Sequence, residues 1–120
     1  MSEEIIGKIA IEGDTAVVTF SKSSISSFED ITTAAEHIAE FIDANQPKKL
    51  IFDFKDVKFF SSQVLGLLLE TRAALVTLDG KVYISSINPQ LHRVFKITNL
   101  DQVFSFFPNT HNALEQLRCG

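Results

Sequence analysis

The chain has 120 residues, which suits one domain and leaves little room for two. A hydrophobic fraction of 45%, with 11 Phe residues, is enough to fill a core and argues against intrinsic disorder. With a formal net charge of −4 and a pI near 5.3, the chain lacks the basic field that holds a nucleic-acid backbone, so no direct nucleic-acid partner is expected.

Cys119 is the one cysteine, which excludes a disulfide framework and a Cys-rich zinc site and suits a reducing cytosol. Met1-Ser2-Glu3-Glu4 carries no apolar h-region. The longest apolar runs, Val64 to Leu69 and Ala73 to Val76, are far too short to span a bilayer. A soluble cytoplasmic protein without membrane contact is expected.

Ile5 to Ile11 reads as a first strand, Gly13-Asp14 as a turn, and Thr15 to Phe20 as the hairpin partner. Ser21 to Ser27 reads as a polar loop. A helix follows over about Ser27 to Ala44, with Ser26 and Glu29 in capping-box spacing. Phe28, Ile31, Ala34, Ala35, Ile38, Phe41 and Ile42 fall on its inner face, and Glu29, Glu36, Glu40 and Asp43 on the other. Leu50 to Phe54 has the near-continuous apolar character of a strand buried on both faces.

After a loop from Lys55 to Phe60, a second helix is predicted from Ser62 to about Leu78, closed by Asp79-Gly80. Lys81 to Ser85 is the next buried strand. Asn88-Pro89 is an N-cap followed by Pro at the first helical position, and opens a helix that turns Leu91, Val94 and Phe95 inward. Val103 to Phe107 reads as the last strand. A final short helix after Pro108-Asn109-Thr110 presents Ala113, Leu114 and Leu117 on one side. The order β-β-α-β-α-β-α-β-α predicts an α/β fold: a mixed, mostly parallel sheet of about five strands that begins with a hairpin, with about four helices, in one domain over residues 1–120.

The segment with the most chemistry joins a buried strand to a helix: Phe52-Asp53-Phe54, Val57, then Phe59-Phe60-Ser61-Ser62-Gln63-Val64-Leu65-Gly66. The carboxyl end of such a strand is the usual ligand edge of an open α/β sheet. A helix start offers unpaired N–H groups and the positive end of the dipole. A serine there serves as a plain N-cap or as a phosphoacceptor, and one hydroxyl can do both in turn.

This segment, with Asp79-Gly80, Ile87-Asn88-Pro89-Gln90, Leu91, Val94, Leu100-Asp101 and Val103-Phe104, resembles the STAS family of the bacterial anti-sigma factor antagonist type. The resemblance covers roughly residues 5–118 and is strongest from 50 to 107. Ser61 stands where many members have Asp, Val64 where Gly is common, and Ser21 to Ser27 lacks the Leu-Asp pair often found after the second strand. The resemblance implies a regulatory binding module, not an enzyme, with no cofactor. Its partner would be an anti-sigma-factor kinase or a similar regulatory protein, and Ser62 would be the phosphorylated residue, with Ser61 as second choice. A homodimer is a further partner reading.

On the second helix, Gln63, Gly66, Glu70, Ala74 and Thr77 form one stripe opposite Val64, Leu65, Leu68, Leu69, Leu75 and Val76. Its small residues would let another backbone approach beside Ser62. Ser61, Ser62, Gln63, Gly66, Glu70 and Phe60 are therefore the candidate partner-binding residues. Of Phe59 and Phe60, one is expected to plug the core, and the other, if exposed, to anchor a partner. Arg72 interrupts the apolar side and is expected to snorkel outward.

No G-x-S-x-G elbow or Walker loop is present, and His37, His92 and His111 fall on separate elements without ligand spacing. Asp53 and Asp56 are too few to define a metal site, and Cys119 reads as an incidental thiol at a frayed end. Two other readings stand beside the leading one. A scaffold or oligomerising subunit of a sensory assembly would use the same fold without phosphorylation. A phospho-receiver would use Asp53, but Ile9-Ala10-Ile11-Glu12 lacks the acidic pair such a domain needs for Mg²⁺.

Overall fold

The computed structural model describes residues 5–119. In chain order the elements are β1 (Ile6–Glu12), β2 (Thr15–Phe20), β3 (Ser24–Ile25), α1 (Phe28–Asn45), β4 (Lys49–Asp53) and β5 (Phe59–Phe60). There follow α2 (Ser62–Val76), β6 (Lys81–Ser85), α3 (Pro89–Ile97), a 3-10 turn at Leu100–Gln102, β7 (Ser105–Phe107) and α4 (Thr110–Cys119). The main sheet runs β1-β2-β4-β6-β7, with β1 antiparallel to β2 and every other pair parallel.

Each parallel connection steps the same way across this sheet. Right-handed crossovers then put α1, α2 and α3 on one face. Alternation along the strands sends Ala16, Val18 and Phe20, Leu50 and Phe52, and Val82 and Ile84 into a single buried cluster with Ile31, Ile38, Leu68, Leu75 and Phe95 from those helices. The other face is crossed by α4. Ile51 and Ala113 are fully buried there, and burying an Ile side chain stabilises by about 1.5–3 kcal/mol. Three polar contacts pin the helix down: Lys49 Nζ donates to the Leu117 carbonyl at 3.1 Å, the Ser85 and Thr110 hydroxyls meet at 2.6 Å, and Arg118 reaches Glu12 at 2.6 Å.

Several expectations change in detail. The helix cap is Ser27, whose Oγ accepts from Asp30 N–H, so the capping pair sits one residue later than Ser26 and Glu29. Phe28, expected inside, is 68% exposed. Helical side chains lean toward the N-terminus, and at the first helical position that direction leads off the end of the core. The loop Ser21 to Ser27 contains β3, which pairs in parallel with β5 as a separate two-stranded sheet. The last strand begins at Ser105, because left-handed Asn99 starts a turn in which Val103 and Phe104 N–H groups both donate to the Leu100 carbonyl. Among the described residues, no helix is long and apolar enough to cross a membrane.

Candidate functional site

The small β3–β5 sheet builds the entrance to α2. Lys58 and Phe59 N–H groups donate to the Ser23 carbonyl at 2.7 and 3.0 Å, and Ser61 N–H donates to the Ile25 carbonyl at 2.9 Å. A two-residue period divides the side chains: Ile25 and Phe60 turn into the core, while Ser24 and Phe59 face solvent. Phe60 packs edge-on against Phe54 and Phe95, with ring centroids 5.8 and 6.0 Å away. It is therefore a core residue and unavailable to a partner, which corrects its place among the candidate binding residues. Phe59, 54% exposed, is the aromatic that faces outward.

The two serines separate by one step of the chain. Ser61 is the N-cap of α2 in extended conformation (φ −81°, ψ 164°), yet its hydroxyl makes no capping hydrogen bond. Its Oγ is buried and, among the described residues, has no hydrogen-bond partner. Ser62 occupies the first helical position and is exposed. The idea of one hydroxyl that first caps and then takes a phosphate does not hold here: the cap position belongs to Ser61 and the accessible hydroxyl to Ser62. No acidic residue lies in the first turn of α2, so the N–H groups there meet no competing carboxylate on their own helix.

Taken at about 100° per residue, Gly66, Leu69, Ala73 and Val76 lie within about 40° of Ser62. All four are exposed, Leu69 by 39% and Val76 by 52%. The outer face of α2 is thus an apolar seam headed by Ser62, with Arg72 on one flank. Leu69 and Val76, which the sequence pattern assigns to the inner side, therefore lie on the outer one. A helix that is apolar nearly all round has no polar face from which periodicity could tell inside from outside. The stripe Gln63, Glu70 and Ala74 turns the other way, and Glu70 and Ala74 line the crevice between α2 and Ala35, Ile38, Ala39 and Ile42 of α1. Of that predicted stripe, Gly66 alone sits on the seam. A Cβ built on Gly66 would meet nothing within 4 Å, so packing inside the chain does not require glycine there.

At its far end the seam runs into a groove of about 280 Å³ lined by Arg72, Val76, Lys81, Val82, Tyr83 and Val103. Arg72 is exposed, as its aliphatic stem allows, and among the described residues neither Arg72 nor Lys81 meets a carboxylate. Tyr83, against Phe107 with ring centroids 5.7 Å apart, has its phenol pushed above the ordinary pKa of about 10 by burial.

Asp53 lies at the carboxyl end of β4 but is buried, with Oδ1 accepting from Lys55 N–H at 2.9 Å. Among the described residues, no three His, Cys, Asp or Glu side chains are placed to share a metal ion. The expectations for Met1 to Glu4 and for the Cys119 thiol lie outside the described side chains.

A one-way parallel-crossover sheet led by an antiparallel hairpin, with Ser62 exposed where the short β5 passes into α2, defines the class of α/β module. The family model for the STAS domain matches residues 8–113, and the chain belongs to that family. The anti-sigma F factor antagonist of Paenibacillus polymyxa is 26% identical over 78 residues, 65% of this chain and 67% of that protein. The fold superposes on an anti-sigma-factor antagonist (STAS) domain protein from Planctomyces limnophilus with a TM-score of 0.83 at 20% identity, covering 96% of this chain and 98% of that one. It also matches the Bacillus protein SpoIIAA, an anti-sigma factor antagonist. Against the unphosphorylated form the TM-score is 0.75 at 17% identity, over 92% and 96% of the two chains. Against the phosphorylated form it is 0.71 at 18%, over 92% and 97%. Similarity at these identities establishes the STAS fold.

Proposed function

We propose that this chain is a cytoplasmic, non-enzymatic regulator of the anti-sigma factor antagonist type. It binds an anti-sigma-factor kinase or a related regulatory protein through Phe59 and the α2 seam, and phosphorylation of Ser62 releases that partner. The single observation that carries the reading is the position of Ser62: exposed, at the first residue of α2, and in line with Gly66, Leu69, Ala73 and Val76. The names of its relatives support the class of partner. That SpoIIAA exists in phosphorylated and unphosphorylated forms supports a switch in this fold.

Serine chemistry and helix electrostatics account for both states. Unmodified, Ser62 is a small neutral group at the head of an apolar strip, and a partner covering the strip desolvates little that is polar. A phosphate adds about −1.5 to −2 charges. Free in solution it is well placed at the N-terminus of α2, but enclosed by a partner without a matching cation it costs several kcal/mol. Each 1.4 kcal/mol is about tenfold in affinity. One modification is enough to release the partner.

Affinity capture from lysate with wild-type, Ser62→Ala and Ser62→Asp baits, followed by titration of the purified captured protein, tests this. The expected result is retention by wild type and Ser62→Ala and at least tenfold weaker binding by Ser62→Asp, with phosphate mapped to Ser62 in the cell. Equal affinity across all three baits rejects the switch.

A further inference from the structure

The two ends of the main sheet differ. β7 contributes three residues and is followed at once by Pro108, which has no N–H to offer a neighbour. Among the described residues, β1 contributes seven, pairs with β2, and has no strand along its outer edge. An open edge of that length presents a row of backbone donors and acceptors to any second strand. A register shift between Ile6 and Lys8 marks an irregularity, so the regular part of the edge is Lys8 to Glu12.

On this edge the side chains are sorted by face. Lys8, Ala10 and Glu12 pair with Thr19, Val17 and Thr15 of β2 and share the face crossed by α4, where Arg118 meets Glu12. Ile9 and Ile11 pair with Val18 and Ala16 and share the face of α1, and Ile11 stays 49% exposed. Among the described residues Lys8 has no ion-pair partner.

We propose that β1 is a self-association edge: two copies of the chain pair antiparallel through β1 about a two-fold axis at Ala10, joining two five-stranded sheets into one of ten strands. That axis sets Lys8 opposite Glu12 of the second copy, and Glu12 opposite its Lys8, so two ion pairs form on one face. On the other face it sets Ile9 opposite Ile11, again twice. The small side chain of Ala10 meets its own copy at the axis. The neighbouring two-fold registers fail. An axis at Ile9 puts Lys8 against Ala10 and Glu12 against Ile6, and an axis at Ile11 puts Lys8 beyond the paired strand. A lysine on an edge strand ordinarily discourages pairing; here, of the three registers, the axis at Ala10 is the one in which a Glu12 within the paired strands answers it. Opposite charges directly across an antiparallel pair favour it, as like charges oppose it. Five paired residues per copy form less than the ~1,200 Å² of a standard stable interface, so the dimer is weak and concentration-dependent.

The full chain is tested by sedimentation equilibrium from about 10 µM to about 1 mM, the range in which such weak dimers dissociate. Wild type is expected to shift from monomer to dimer across that range and to weaken in high salt, since the ion pairs are exposed and screened. Lys8→Glu and Glu12→Lys are each expected to stay monomeric, and the double exchange to restore the dimer. Amide exchange within Lys8 to Glu12 is expected to slow as concentration rises. A wild type that remains monomeric at 1 mM, a dimer unaffected by Lys8→Glu, a double exchange that stays monomeric while circular dichroism shows it folded, or slowed exchange confined to α2 would each overturn the proposal. It does not depend on the Ser62 switch: Ser62→Asp is expected to leave the dimer unchanged.

Discussion

Gly66→Ala separates what the chain needs from what its partner needs. Glycine inside a helix costs about 0.5–1 kcal/mol relative to alanine, because it loses more conformational freedom on folding. That cost is usually offset by a close contact, but a methyl at Gly66 meets no atom within 4 Å. The variant should therefore gain the full amount: about 0.5–1 kcal/mol in urea unfolding, at an unchanged slope with denaturant, and about 2–4 °C in Tm for a domain of this size. The methyl would stand in the path of a partner backbone on the seam beside Ser62, so titration of the captured partner should weaken about tenfold. A less stable variant would refute the geometry of α2. A stabilised variant with undiminished partner affinity would refute the seam as the docking face.

Ser61→Ala is expected to be neutral or to stabilise by about 1 kcal/mol in chemical denaturation, because it removes a buried hydroxyl without a partner; a loss of about 1 kcal/mol would show that the hydroxyl caps α2 after all. Phe60→Ala should cost about 3–5 kcal/mol through loss of its packing against Phe54 and Phe95, whereas Phe59→Ala should change stability little and weaken partner binding, as denaturation and titration of the two variants would show. Tyr83, the one tyrosine, should ionise with a midpoint above 10 when followed by ultraviolet absorbance. The folded state then holds the phenolic proton more tightly than the unfolded one, so this contribution to stability is complete below about pH 10 and is lost as pH rises through the folded pKa. A midpoint at or below 10 would contradict the burial of that ring.

Much of this protein was legible before any coordinates. Thr15 to Phe20 and Lys81 to Ser85 could be bounded from β-propensity and apolar runs, and Asn88-Pro89 marked the start of α3, because these signals are local. The serine at the second strand-to-helix junction was visible for the same reason. The β3–β5 pairing was not, since two residues on either side carry no periodicity until the chain brings Ser24 beside Phe59.

Three-dimensional packing also decided which way each side chain turned. Phe59 and Phe60 are identical in type and adjacent, and the pairing with Ser24 and Ile25 alone sends one out and the other in. Ser61 and Ser62 divide in the same way, one hydroxyl enclosed and one accessible, according to where α2 takes up its first helical residue. On α2 itself apolar residues surround the axis, so its orientation came from the sheet and α1 filling one side and leaving Leu69 and Val76 on the other. Local sequence chooses the elements through short-range sterics and solvation; the facing of nearly equivalent side chains is settled by contacts between segments far apart in the chain.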